Sequence, residues 1–401
     1  MNRRDFLRNA SIATAGTMFI PSFLQAYSNE LTFLSDPNSP YKRLVVIQLS
    51  GGNDGLNTIV PYKNNLYYEY RPSIALPENK IIRLTDELGI NNLMPEMADL
   101  YNSGNLAIIN NVGYPNPNRS HFRSMDIWHS ASNSNEYLTS GWLGRFMDNQ
   151  CTSAHQIMEL DNTLSMANKG HKRSGIALKT PQNFHRALNH QFYNEISNLD
   201  KEMLDEDNLG YLYKTLIDTK QSSSYIKEKY DIQQRASNYP KSNLGNQLAT
   251  VAACMKSGID TKVYYTSLGG FDTHVNQIAK QSGLLKTYSQ AVTALVKDLK
   301  SAGLFKDTLI VTFSEFGRRV KQNASQGTDH GQANNLFIIG EGLQKQGFVN
   351  EDPNLVELSK GDLKYSVDFR NVYMEILENW FKINPKEIIT SKFERKSLNI
   401  I

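Results

Sequence analysis

The sequence predicts an α/β fold built on a mostly parallel sheet. Three observations predict it. Short apolar runs end in glycine or polar residues, amphipathic helical stretches lie between those runs, and the acids and histidines able to do chemistry sit at the runs' carboxyl ends. In sheets of this kind, ligands gather beyond the carboxyl ends of the strands.

The elements follow in chain order. Residues 1–8 read Met-Asn-Arg-Arg-Asp-Phe-Leu-Arg, and a weakly apolar run covers residues 11–24. Arg3 and Arg4 ahead of such a run form a twin-arginine (Tat) export signal, read here as residues 1–26 with cleavage after Ala26. It predicts a periplasmic or otherwise extracytoplasmic protein whose partner during export is the Tat translocase. The run is too short for a stable membrane anchor, and no later segment has the length and polarity to cross a bilayer. Residues 27–41 read as a leader and 42–401 as the folded domain.

Strands are expected at 44–49, 106–109, 262–266, 309–313 and 336–339. A long helix is expected over 277–301, where Leu284, Leu285, Tyr288, Val292, Leu295, Val296 and Leu299 fall on one stripe. A second is expected over 372–381, and a third starts near Ser120. Residues 183–257 are polar, helical in pattern and free of strand signals, and read as a helical insertion over one edge of the sheet.

Composition narrows the function. With 40% hydrophobic and 21% charged residues the chain is an ordinary globule. Its net charge is +3, of which Arg3, Arg4, Arg8 and Asp5 supply +2, and no Lys/Arg block appears. Nothing attracts nucleic acid. The 20 Tyr and 17 Phe suit a core, or a surface that faces a glycan. Cys151 and Cys254 are either one disulfide or two buried thiols; their separation matches no metal pattern.

Four clusters carry chemistry. Gly51-Gly52-Asn53-Asp54-Gly55 follows the first strand; Asp54 is a metal carboxylate or part of a tight turn. Arg119-Ser120-His121-Phe122 opens a helix, so Ser120 is an N-cap or a nucleophile, with His121 beside it. Asp272 and His274 stand two positions apart on extended backbone, on one side, either sharing a divalent metal or hydrogen-bonded to each other. Glu315 and Arg318 follow the 309–313 strand, and Asp329-His330 sits between glycines. Taken together, Asp54, Asp272, His274, Glu315, Asp329 and His330 are mixed hard and borderline ligands of the kind that hold zinc, manganese or iron, and a divalent metal such as zinc, manganese or calcium is expected.

These motifs resemble the bacterial DUF1501 family, grouped with the alkaline phosphatase and sulfatase superfamily. The resemblance rests on residues 49–58, 119–122, 141–145, 269–274, 314–318, 327–331 and 368–370 and spans nearly the whole chain. It implies an alkaline phosphatase-like three-layer α/β/α sandwich with a helical insertion. It implies Asp54 as the first metal ligand, Ser120 as nucleophile, Asp272 and His274 as a middle pair, Glu315 at a strand end and His330 as the last histidine. Phe316 stands where the superfamily's strand-end motif has a histidine. The activity expected is metal-dependent hydrolysis of a small anionic ester, phosphate or sulfate, with Arg119 or Arg318 either clamping the anion or forming a surface ion pair. The alternative is a non-catalytic periplasmic or surface protein, such as a glycan binder, that keeps the fold without turnover.

Overall fold

The computed structural model describes residues 41–200, 204, 208–230 and 238–401. The export signal and nearly all of the leader lie outside the described residues. The strands are β1 (Arg43–Ser50), β2 (Ile59–Val60), β3 (Ile81–Arg83), β4 (Gly89–Asn91), β5 (Leu106–Gly113), β6 (Ile157–Glu159), β7 (Ile176–Ala177), β8 (Val263–Gly269), β9 (Thr308–Phe313), β10 (Asn334–Ile339), β11 (Gly347–Phe348) and β12 (Val367–Asp368). The main sheet has the order β11-β5-β10-β9-β1-β8-β6-β7, with β12 also on β5, while β2, β4 and β3 form a small sheet. Within the main sheet all strands but β10 run the same way.

The five predicted strands are all present, as β1, β5, β8, β9 and β10. The predicted helix over 277–301 forms as Gln277–Ser301, and helix His121–Ser130 begins after Ser120. At the C-terminal end, helix Phe369–Glu375 widens into a π turn over Ile376–Trp380. The short strands β6 and β7 lack a long apolar run and carry no comparable sequence signal.

Neighbouring side chains of β9 show that the sheet is covered on both faces. The Tyr288 hydroxyl, from helix Gln277–Ser301, bonds Thr312 Oγ1 at 2.9 Å. Trp128, from helix His121–Ser130, stacks on Phe313 with centroids 4.8 Å apart. Adjacent residues of a strand point to opposite faces, so these helices lie on opposite sides of the sheet. The fold is α/β, three layers around a mostly parallel sheet.

The stretch 183–257 divides in two. Leu188, Phe192, Tyr193, Ile196, Leu216 and Ile217 form a small core of their own. Helix Asn243–Lys256, by contrast, buries Leu244, Leu248, Val251, Ala252 and Met255 in the main core. Cys151 and Cys254 are both buried and are not joined by a disulfide. Among the described residues no helix is long and apolar enough to cross a membrane.

Candidate metal centre

The site is built where β1, β8 and β9 end. Gly51 has φ +116°, and a Cβ there would meet the Asp272 backbone nitrogen at 2.4 Å; Gly52 has φ +72°, and a Cβ there would strike the Phe316 ring at 2.3 Å. Both positions need glycine for conformation and for space. The close approach lets the end of β1 lie against residues 271–272. Ser314 pins β9 to the same place: its hydroxyl donates to Leu49 O at 2.6 Å and accepts from Asn53 N at 2.9 Å.

Arg318 ties these segments together. Its Nε donates to Gly52 O (2.7 Å), its Nη1 to Thr328 O (2.8 Å), and its Nη2 to Gly51 O, Phe271 O (3.0 Å) and Asp272 Oδ1 (2.7 Å). The guanidinium is 0% exposed. The expected anion clamp is therefore replaced by a structural tie: a fully buried cation holding four carbonyls and a carboxylate cannot reach an anion in solvent.

Three imidazoles surround Asp272 Oδ1. His274 Nε2 lies 3.0 Å from it, His330 Nε2 3.2 Å and His121 Nε2 3.5 Å, and His274 Nε2 is 3.0 Å from His330 Nε2. His121, Asp272 and His330 form a group whose ligand atoms all lie within 4.8 Å of one another. His121 enters as a ligand candidate, rather than as the catalytic neighbour of Ser120.

The far nitrogens of the rings are each assigned a partner. His121 Nδ1 meets Glu315 Oε1 at 2.8 Å, His330 Nδ1 meets Arg119 O at 2.8 Å, and His274 Nδ1 meets Asp329 Oδ1 at 3.3 Å. All three partners are acceptors, so each Nδ1 carries the proton and, in a neutral ring, each Nε2 presents a lone pair. Three Nε2 lone pairs then face Asp272 Oδ1, which also accepts from Arg318 Nη2. The buried His121 Nε2 has no hydrogen-bond partner at all. That donor set fits a divalent cation. A tetrahedral ion with bonds of about 2.1 Å spaces its ligands roughly 3.4 Å apart; the imidazole nitrogens lie 3.0–3.5 Å from Asp272 Oδ1, and the ligand atoms of His121, Asp272 and His330 lie within 4.8 Å of one another.

Electrostatics keep the acid ionised. Burial alone would raise the Asp272 carboxyl, but Arg318 and His330 outweigh it and lower it to about 2. The hydrogen bond that Glu315 accepts raises His121 above its ordinary value, against the opposing pull of burial, so a cation there competes with a proton.

Other expected ligands stand elsewhere. Asp54 is 1% exposed and saturated: Oδ2 accepts from Arg71 Nη1 (2.6 Å) and Gln277 Nε2, and Oδ1 from Arg71 Nη2 (3.1 Å) and Leu56 N (3.2 Å). It is an ion-pair anchor with no lone pair left to offer. Glu315, 0% exposed, accepts from His121 Nδ1 and Gly51 N (2.8 Å) and so stands behind His121. Asp329, 56% exposed, orients His274. Ser120 occupies the N-cap position, exposed and without a side-chain cap bond. Sequence reasoning did not find Arg71: it ends a six-residue helix before Pro72, and nothing in its spacing points to Asp54. Nor did it find Gln277, whose only sequence mark is its place at the start of a helix.

Residues 104–390 match the model of the family described as Protein of unknown function (DUF1501). The chain belongs to the DUF1501 family. No curated protein matches its sequence. Among solved structures, this DUF1501 chain is similar to the zinc complex of the C-terminal periplasmic domain of EcEptC from Escherichia coli, at 12% identity and TM-score 0.37, covering 76% of this chain and 74% of that one. It is similar to a protein in the alkaline phosphatase superfamily from Vibrio parahaemolyticus, at 8% identity and TM-score 0.36, covering 85% and 70%. It is also similar to the PsFucS1 sulfatase from Pseudoalteromonas sp., at 12% identity and TM-score 0.36, covering 86% and 69%. Similarity at this level says nothing about chemistry.

Proposed function

We propose that this protein is an exported, metal-dependent hydrolase of phosphate or sulfate esters. The observation that carries the reading is the convergence of His121, His274 and His330 Nε2 on Asp272 Oδ1, with every Nδ1 facing an acceptor. His121, Asp272 and His330 would hold the ion, with His274 beside them. A divalent metal there would supply Lewis acidity toward an ester oxygen and lower the pKa of a coordinated hydroxyl. The chain's own residues do the rest. Glu315 and the Arg119 carbonyl keep the Nε2 lone pairs of His121 and His330 aimed inward. Arg318 holds Asp272 ionised. Ser120, exposed and uncapped next to His121, is the candidate nucleophile. Arg119, 38% exposed, is the guanidinium nearest in sequence that can still meet an anion. The paired Arg3 and Arg4 support export by the Tat route.

The test is elemental analysis of the full chain exported from a Tat-competent host, paired with assays on an aryl phosphate and an aryl sulfate. About one divalent ion per chain is expected, lost in Asp272→Ala and reduced in His274→Ala. Ser120→Ala should keep the metal and lose turnover. Equal, negligible metal in wild type and Asp272→Ala would sink the reading. One observation favours a second reading, a metal-holding binding protein without turnover: Asp54 and Arg318 are both neutralised inside the fold. Full metal occupancy with no turnover on either ester would decide for it.

A further inference from the structure

Asp362 touches none of the candidate ligands, yet it joins the segments that carry them. It closes a tight two-residue turn in which Ser359 and Asp362 exchange backbone hydrogen bonds of 2.9 and 3.1 Å. Lys360 and Gly361, at φ 54° and 86°, supply the left-handed conformations that such a turn requires. The turn leaves the Asp362 side chain 0% exposed between two guanidiniums. Arg119 Nη2 pairs with Oδ2, and Arg319 Nε pairs with Oδ1 at 3.2 Å. Arg319 also donates from Nη2 to Lys360 O at 2.6 Å.

Each arginine leads to the metal group. The Arg119 carbonyl accepts from His330 Nδ1 at 2.8 Å, and its neighbours Ser120 and His121 follow directly. The Arg319 backbone nitrogen donates to Asp329 O at 2.9 Å, while Arg318 and His330 face each other across an antiparallel bridge. One buried carboxylate therefore holds the 119–121 segment against the 318–330 ribbon.

We propose that Asp362 is a positioning residue for the metal site: it locks Arg119 in place and, through the Arg119 carbonyl, aims His330 Nε2 at the ion. The proposal rests on the metal reading above. A buried acid between two arginines could simply add stability, but stability alone would not govern how tightly an ion three contacts away is held. Partners behind a ligating histidine set its ring orientation, and removing them costs roughly 10–100-fold in metal affinity.

The experiment measures zinc affinity of the full chain by competition with a chelator, for wild type, Asp362→Asn and Arg119→Met. Arg119→Met keeps the carbonyl that faces His330 and removes only the guanidinium, so it serves if Asp362→Asn does not fold. Both variants should bind zinc roughly 10–100-fold more weakly while folded. Nitrogen NMR of the zinc-free variants should show His330 losing its fixed Nδ1–H tautomer. Folded variants that bind zinc as tightly as wild type, with the His330 signature unchanged, would overturn the proposal whatever happens to their melting temperatures. A wild type that binds no zinc would instead remove the metal reading on which the proposal stands.

Discussion

Asp54 and Asp272 follow two similar sequences, Gly-Gly-Asn-Asp after β1 and Gly-Gly-Phe-Asp after β8. Each has an arginine partner. Arg71 takes both oxygens of Asp54 in the interior, and Gln277 and Leu56 use up the remaining lone pairs. Arg318 reaches only Oδ1 of Asp272, which stays 49% exposed among three imidazoles. The two acids thus stand differently: one has its lone pairs consumed inside the fold, the other stays half exposed beside three imidazoles. A carboxylate's role is set by how many of its lone pairs the fold consumes, and for Asp54 the consumers range from Leu56, two positions on, to Gln277, 223 positions on.

The largest break in this comparison is Arg71→Met. It strands the Asp54 charge in the interior, and breaking a buried pair in this way costs about 3–5 kcal/mol. Denaturant unfolding should show that loss; a change under about 1 kcal/mol would mean that Asp54 is not an anchor. Asp272→Asn, whose carboxylate is half exposed, should cost less stability than Arg71→Met and empty the site of metal.

Next comes Glu315→Gln. The amide can accept from His121 Nδ1 but carries no charge to bind it, so zinc affinity should fall by roughly 10–100-fold. Direct ligation by Glu315, the expectation from sequence, predicts a near-complete loss of metal. The size of the drop therefore separates a residue behind the ligand from the ligand itself.

The smallest effect is one of pH. In the metal-free protein His121 is raised above its ordinary 6.5 by Glu315. Its stabilising contribution is then full below pH 6.5 and is lost as pH rises through the raised value. Asp272, lowered to about 2, contributes above 3.8 and loses its contribution as pH falls toward about 2. Zinc ligation needs His121 Nε2 unprotonated, so metal affinity should climb over the same rise in pH that weakens the apoprotein. Melting curves with and without zinc should diverge above pH 6.5. Curves that stay parallel would mean that His121 does not face the ion.

Much of the fold was readable from residues 44–49, 106–109, 262–266, 309–313 and 336–339, because strands buried in a sheet advertise themselves as local apolar runs. The helix Gln277–Ser301 was readable for the same reason, since its stripe is local. The site was only partly readable. Asp272, His274 and His330 stood out as acids and imidazoles beside glycines, and the structure brings them together with His121. Whether Asp54, Glu315 and Arg318 bind, orient or brace depended on partners far away in sequence: Asp54 to Gln277, Glu315 to His121, and Arg318 to Gly51.

By itself the sequence determined the kind of fold, the chemistry-bearing residue types and the sheet ends where they fall, because periodicity and glycine-bounded strand ends are local properties of a chain. Only the tertiary structure decided which acid is consumed by Arg71, which stands behind a histidine and which stays open to an ion. Those outcomes turn on contacts of about 3 Å between residues that lie from 17 positions apart, as Asp54 and Arg71 do, to 194 apart, as His121 and Glu315 do, and no local pattern encodes them.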